Sequence, residues 1–441
     1  MTTTNLRELR PFSGSQPPAH WGKLPTLVAL VLLFVSIFSA NFSLIEANDE
    51  KISIVDEWSY VDYIFRAAEG DIVRPGSPIA EDSLDYLACH EVIGVGPIGS
   101  GCGDEQKSDD YPLDAVSPAE IHPPIYFVIT AQIARVVDAI LPQFELIDSA
   151  RMVGSLWLFA GLVIWLIAFK QLGVRLLVGL SAVVLVAFSP LVLSVTNFIT
   201  PDATFTISSG LVFLATILWL KRGISYWWLL AAGLVPVLFK VTHLLSAFCA
   251  VLLIIALGLF MKQKSLKQTT LASAMLLSGT VLGLVGWQAV RSLIRVAPSP
   301  SHPNEPWALS ILSFIRELGY HISTLPQFPG SVLPIPPGTG LIVVFFGWLL
   351  IAASIGGILY LRFGTELWVI SVVSTATVFF GAALLSLITV VLSGGFLIPE
   401  ARYGLPFLFL WVLPLTLAVR EKYQVIGFAA LAFAAWIAVF F

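Results

Sequence analysis

Charge is what this chain has least of: Asp, Glu, Lys and Arg make up 12% of its 441 residues, against 57% hydrophobic side chains. A mean hydropathy of +0.87 excludes a soluble domain, because apolar runs of about 20 residues recur along the whole length. Alternating apolar and polar segments of about ten residues are missing, which excludes a membrane barrel. Cysteine is scarce, with three in all, and no zinc spacing is present. There is no glycine-rich phosphate loop of the P-loop kind and no Ser/His/Asp set in a recognisable context. What is left is an all-α polytopic membrane protein, with nothing that suits nucleic acid as a partner.

Eleven spans are predicted, at 25–46, 151–170, 176–198, 203–220, 226–241, 243–261, 268–290, 341–361, 367–392, 404–419 and 423–441. They form a single transmembrane domain over 25–441 after a tail at 1–24, with long loops at 47–150 and 291–340. With the N-terminus in the cytoplasm, the inner turns carry Arg7, Arg10 and Lys23, then Lys170 and Arg175, Lys221 and Arg222, Lys262, Lys264 and Lys267, Arg362, and Arg420 and Lys422. Every inner turn is basic, as the positive-inside rule asks. The stretch Ala47 to Ile121, assigned outside, holds 17 acidic residues against four basic ones. The first apolar run continues to Ile45 without a clear small-residue cleavage site, so it reads as a span rather than a signal peptide. The expected location is the plasma (cytoplasmic) membrane, multi-pass, with any active site on the extracytoplasmic face.

Cys89 and Cys102 both fall in the outer loop, on either side of Gly94, Gly96, Gly99 and Gly101. That is the setting for a disulfide-closed excursion in an oxidising compartment, the alternative being two free thiols. Cys249 lies within a span and reads as packing. Asp56 to Glu69 has helical composition, opens on two acids and stops at Gly70. Its spacing puts Asp56, Tyr60 and Tyr63 along one side and Trp58, Asp62 and Phe65 along another, so it is expected to be a first interfacial helix, lying along the membrane surface with its first turn aimed at a site. The run from Pro123 to Leu141 is apolar, yet a crossing there would invert every later basic turn. It is therefore expected to be a second interfacial helix.

Ionisable residues gather where spans meet the outer face: Asp202 after Asn197 and Pro201, Lys240 and His243, Arg291 and Arg295, and Glu400, Arg402 and Tyr403. Charge at membrane depth is costly, which makes each a functional candidate. Singly, each also has a plain reading: Lys240 can snorkel to the headgroups and Arg402 can pair with Glu400 as an anchor. Together with Asp56, Glu57 and His122 they suit a transferase whose donor is an anionic lipid phosphate. A carboxylate takes the proton of an acceptor hydroxyl as it attacks the anomeric carbon. Cations stabilise the charge growing on the departing phosphate. One base and no protein nucleophile implies inversion. The absence of Asp-x-Asp triplets favours a lipid donor over a nucleotide sugar.

The order Asp56-Glu57, His122-Pro123-Pro124-Ile125-Tyr126, Pro201-Asp202, Phe239-Lys240-Val241-Thr242-His243 and Arg402-Tyr403-Gly404-Leu405-Pro406 resembles the GT-C superfamily, the membrane glycosyltransferases that use polyprenyl-phosphate-linked sugars, and in particular its bacterial members of actinobacterial type. The resemblance runs from about Leu27 to Val419 and rests on the order and common sidedness of short motifs. It implies Asp56 as the catalytic base and Glu57 as a second acid that orients the acceptor or holds a cation. It implies His122, Lys240 and Arg402 as donor-phosphate contacts, with Tyr403 a hydrogen-bond donor beside them. Asp62, Asp202, His243 and Arg291 are further candidates to line the site.

No motif requires a cofactor, although Asp56 and Glu57 offer ligands to a divalent cation. The expected partners are a polyprenyl-phosphate-linked sugar donor, membrane lipids, and an acceptor that is a glycan, a lipid or a protein. Acceptor recognition falls to the loops, including a Pro-rich one from Arg291 to Gly340 with a helical island at Trp307 to Tyr320, readable as a lid, a groove or a structural cap. Its His302 and His321 are too isolated to be argued as metal ligands. The alternative function is a lipid-linked saccharide transporter or flippase. That class places its charges near the midplane of repeated halves, and no duplication is visible here.

Overall fold

The computed structural model describes residues 11–12, 17–48, 50–53, 56–298, 311–325, 337–393 and 400–440. Helix follows helix in this order: α1 (Lys23–Asn48), α2 (Glu57–Glu69), α3 (Glu81–Cys89), α4 (Ile125–Ile140), α5 (Leu146–Gln171), α6 (Leu176–Ala187), α7 (Pro190–Asn197), α8 (Phe205–Arg222) and α9 (Tyr226–Phe239). The order continues with α10 (Leu244–Met261), α11 (Leu266–Ile294), α12 (Ile311–Arg316), α13 (Tyr320–Ser323), α14 (Pro337–Tyr360), α15 (Glu366–Ser393), α16 (Leu408–Ala418) and α17 (Lys422–Phe440). Among the described residues there is no strand, only isolated bridges within the first loop.

Each of the eleven segments expected to cross is helical, but they are not eleven equal spans. Among the described residues, nine helices are long and apolar enough to cross a bilayer. The third segment is broken instead: α6 and α7 meet at 65°. Pro190, at the start of α7, has no N–H to return to the preceding turn, so the first helix cannot run through it. The fifth, α9, has 14 residues, about 21 Å of helix against a hydrocarbon core of about 30 Å. It is therefore a short helix whose end lies below a full span, and Lys240 follows directly.

In a bilayer the helices gain little from hiding apolar surface, so close packing of small residues takes over. Helices α9 and α11 pack in this way: a Cβ on Gly233 would stand 2.0 Å from the Leu276 carbonyl oxygen, and one on Gly279 2.0 Å from that of Leu230. The basic turns assigned to one side do share a face. Lys221 Nζ donates to the Gln171 carbonyl at 2.6 Å, Arg222 to the Gln171 side chain at 2.7 Å, and Arg175 to the Arg420 carbonyl at 2.9 Å.

On the opposite face the first loop folds as a small helical layer. Cys89 and Cys102 are joined in a disulfide that closes the glycine-rich excursion. Helix α2 ends as its composition suggests, at Gly70 with φ +89°. It does not lie freely on the surface, since Tyr60, Val61, Asp62, Tyr63 and Ile64 are all buried. Tyr63 stacks on Phe127 of α4 at 4.0 Å between ring centroids, and α3, which the sequence did not announce, closes over the other side. The apolar core of this layer runs on into α5 and α8, and the bundle holds a second, larger core. The polar residues discussed next sit where the two meet. Most of the Pro-rich loop, with Pro300, His302, Pro303, Pro306, Pro326, Pro329, Pro334, Pro336 and the start of its helical island, lies outside the described residues.

Candidate active site

Asp202 is the centre of the cluster. It sits in the single turn Pro201–Thr204 ahead of α8, where Thr200 caps the turn by accepting from the Asp202 N–H at 3.3 Å. Its side chain is 2% exposed, so a bare carboxylate there would be very costly. Two cations offset that cost. Lys240 Nζ lies 2.6 Å from Oδ2, and Arg402 Nε lies 3.2 Å from the same oxygen. His243 stands behind, its Nε2 3.9 Å from Oδ1 and its Nδ1 2.9 Å from the Ser208 hydroxyl. Lys240 is delivered by the end of α9 and Arg402 by the turn Ala401–Phe407 before α16. Both cations lie over the ring of Tyr403, at 5.3 Å for Lys240 and 5.6 Å for Arg402. Tyr403 thus meets them with its ring face, a contact the sequence reading did not foresee.

Arg402 also reaches outward. Its Nη2 donates to Asp56 Oδ2, so one guanidinium joins the buried carboxylate to a second one whose side chain is 46% exposed. Asp56 precedes α2 with φ +64° and ψ −12° and makes no side-chain capping bond. The left-handed region is one that Asp tolerates better than most residues, at some cost in strain. That conformation lets the backbone carbonyl take the Ser59 N–H at 2.9 Å while the carboxylate leaves the helix for Arg402. Strain in the backbone here coincides with the most accessible acid of the cluster.

Tyr60, one turn along α2, was placed by its spacing on the side of Asp56 but was not counted among the site residues. Its hydroxyl lies 3.4 Å from Asp56 Oδ2 and 2.9 Å from His122 Nε2. Burial raises the Tyr60 pKa well above its usual value, and so do Asp56 and Asp202, which keeps the phenol protonated. Burial, followed by the nearby Lys240, pushes His122 well below the ordinary imidazole range. The ring is therefore neutral and acts as a hydrogen-bonding group, while charge in the cluster is confined to Lys240, Arg402, Asp56 and Asp202. Two positive and two negative groups balance.

Three of the expected residues stand elsewhere. Asp62 braces the loop, taking Arg66 Nε at 3.0 Å and the Ala80 N–H at 2.9 Å. Arg291 pairs with Glu120 at 3.1 Å, and its neighbour Trp287 donates to the Ile121 carbonyl at 3.0 Å. The end of α11 thereby holds the turn before His122, and Arg291 supports the cluster from its rim. Glu57 turns away from Asp56 altogether. Its side chain is wholly buried against Arg151, Nε to Oε1 at 2.9 Å and Nη2 to Oε2 at 3.1 Å. The two adjacent acids therefore do not act as a pair, and a divalent ion at Asp56 would not share Glu57. Among the described residues no group of three or more His, Cys, Asp or Glu side chains is arranged to hold a metal ion. Arg151 went unnoticed in the sequence because it opens an otherwise apolar span. A lone arginine at that depth, with an acid three residues before it at Asp148, was the available signal.

No protein-family model matches the chain, and no curated protein matches it. Among the solved structures similar to it are the following two. One is ArnT from Cupriavidus metallidurans bound to undecaprenyl phosphate, at 16% identity and a TM-score of 0.45, covering 92% of this chain and 62% of that one. The other is the arabinofuranosyltransferase AftD from Mycobacteria, at 15% identity and a TM-score of 0.47, covering 96% of this chain and 27% of that one. The chain thus spans less than two thirds of either structure's length.

Proposed function

We propose that the protein is an inverting glycosyltransferase that moves a sugar from a polyprenyl-phosphate donor to an acceptor hydroxyl on the extracytoplasmic face. The observation that carries this reading is the placement of Arg402 between a half-exposed carboxylate, Asp56, and a buried one, Asp202, with Lys240 on the same buried oxygen. A base open to solvent and two anchored cations a few ångströms behind it are the two halves that such a transfer needs.

In the reaction the acceptor oxygen attacks the anomeric carbon as the bond from that carbon to the phosphate oxygen breaks. The hydroxyl proton passes to Asp56, a contribution of about 10² to 10⁴ in rate. Polyprenyl phosphate leaves as an anion that requires no protonation, its charge met by Lys240 and Arg402 in a site screened from water. His122 and Tyr60 supply neutral hydrogen bonds at the edge of that pocket. Because the cluster is already balanced, an incoming phosphate competes with Asp56 for Arg402. Donor binding then frees the base for the acceptor. The acceptor itself, whether envelope glycan, glycolipid or protein, would lie against the first loop.

Two measurements test the reading. Lipid extraction and mass spectrometry of the purified protein should find a co-purifying polyprenyl phosphate. With a panel of decaprenyl-phosphate pentoses and hexoses, at least one should release decaprenyl phosphate, and Asp56→Asn should slow that release by about 10² to 10⁴ while the protein still inserts and folds. Full activity of Asp56→Asn would remove Asp56 as the base.

A further inference from the structure

Glu57 accepts four hydrogen bonds, and none of them comes from the Asp56, Asp202, Lys240 and Arg402 cluster. Oε1 takes Arg151 Nε at 2.9 Å and the Ile199 N–H at 2.9 Å; Oε2 takes Arg151 Nη2 at 3.1 Å and the Ser53 N–H at 2.7 Å. Four donors fill a carboxylate that has no exposed surface. Arg151 is filled in turn, giving Nη1 to Asp148 at 2.8 Å and Nη2 to the Lys51 carbonyl at 2.8 Å. Its own carbonyl accepts from Asn41 on α1 at 3.1 Å, and Asn41 accepts from Asn197 at 3.0 Å. Such a group has neither the access nor the lone pairs to meet a substrate.

What it does hold is informative. Glu57 follows Asp56 directly, and Ile199 lies three residues before Asp202. One carboxylate therefore grips both chain segments that carry the acids of the cluster and anchors them to α5. A second tie runs parallel to it, the Thr200 N–H donating to the Tyr126 hydroxyl at 3.1 Å, and Tyr126 lies four residues after His122. We propose that Glu57 is a positioning residue, which through its fork with Arg151 and its bond to Ile199 fixes Asp56 relative to the Asp202, Lys240 and Arg402 group. This rests on the reading of Asp56 as the base. Misplacement by about 1 Å can cost about 10² in rate, so the effect on turnover is large although Glu57 never touches a reactant.

The test uses the full chain in detergent micelles and whichever decaprenyl-phosphate pentose or hexose the unsubstituted protein turns over fastest, with thermal unfolding followed in parallel. Glu57→Gln leaves Arg151 as a buried cation short of its partner, and kcat should fall about 10²-fold with a lower unfolding midpoint. The double variant Glu57→Gln/Arg151→Met removes the wholly buried pair and leaves only Asp148, whose side chain is 11% exposed, without its arginine. It should recover at least about tenfold of the lost kcat, because the introduced amide oxygen still accepts from Ile199 and no unpaired cation is left. Arg151→Lys, which keeps charge but loses the fork, should lower kcat about tenfold although Arg151 touches neither Asp56 nor Asp202. The acid limb of the pH-rate profile should persist in all three.

A double variant that melts normally yet is no faster than Glu57→Gln, or an acid limb abolished by Glu57→Gln, would overturn the proposal and make Glu57 a direct participant. Should the double variant fail to fold, Arg151→Lys decides: turnover equal to the unsubstituted protein would equally sink it. Asp56→Asn, run alongside, separates this outcome from the other. If that variant is fully active the base assignment falls, whereas if it is inactive and the rescue fails, only the positioning role does.

Discussion

His122 and Tyr60 share a single hydrogen bond, and its direction follows from their surroundings. With the phenol protonated and pointing its hydrogen at Asp56, the imidazole must give its Nε2 hydrogen to the phenol oxygen, leaving Nδ1 as an acceptor. The neutrality of that ring has a measurable consequence. The folded-state pKa of His122 lies well below the ordinary 6.5, so above that pH folded and unfolded chains bind the same number of protons there. As pH falls below it, the unfolded chain takes up a proton that the folded one refuses, and stability is lost. His321, which burial pushes down to about 3, acts in the same window. The unfolding midpoint in micelles should therefore decline from about pH 6.5 downwards, and His122→Gln should flatten part of the decline without removing it all. A midpoint equally steep in His122→Gln would mean that the ring is already charged in the folded protein.

Helix α9 brings Lys240 to the cluster, and what sets its height is the contact with α11. Thr280 Oγ1 donates to the Gly233 carbonyl at 3.3 Å, and the reciprocal glycines leave no space for even a methyl group. The obstructing atoms are backbone carbonyls, which have no rotamer to escape into. Gly233→Ala should force the helices apart, destabilise the protein by about 1 to 3 kcal/mol, and weaken donor turnover by shifting Lys240 from Asp202. Thermal unfolding and decaprenyl phosphate release check both effects. Normal values for each would show that α9 is not seated by this pair. The same logic of element ends runs through the site, because α2, α9, the turn before α8 and the turn before α16 each contribute from a terminus. A terminus can change by one residue without disturbing the packed length behind it.

Among the described residues, charge is sorted to two faces, the acidic loop and the Asp56–Arg402–Asp202–Lys240 cluster on one and the basic turns on the other. If the basic face is cytoplasmic, a membrane-impermeant maleimide should label Ser108→Cys in intact cells, and Tyr423→Cys only after permeabilisation. Both positions are exposed. The native cysteines give little background, two being joined in the disulfide and Cys249 buried. The reverse pattern would invert the orientation and put Asp56 in the cytoplasm.

Much of the helical architecture was legible in the sequence, since a bilayer asks for long apolar runs and these can be counted along the chain. Asp56, His122, Asp202, Lys240, His243, Arg402 and Tyr403 stood out for the same reason: charge and polarity are conspicuous against an apolar background. What the sequence could not decide was partnership. Asp56 and Glu57 are neighbours in a turn, and nothing in their order says that one meets Arg402, 346 residues away, and the other Arg151, 94 residues away. Tyr60 likewise gained a role only from the meeting of α2 with the turn before α4. The chain by itself determined which segments would form long apolar helices and which polar residues would stand at their ends, through local hydropathy. Only the packing of helices far apart in sequence decided which carboxylate stayed open and which was sealed in, because burial and pairing depend on what other segments bring to the same place.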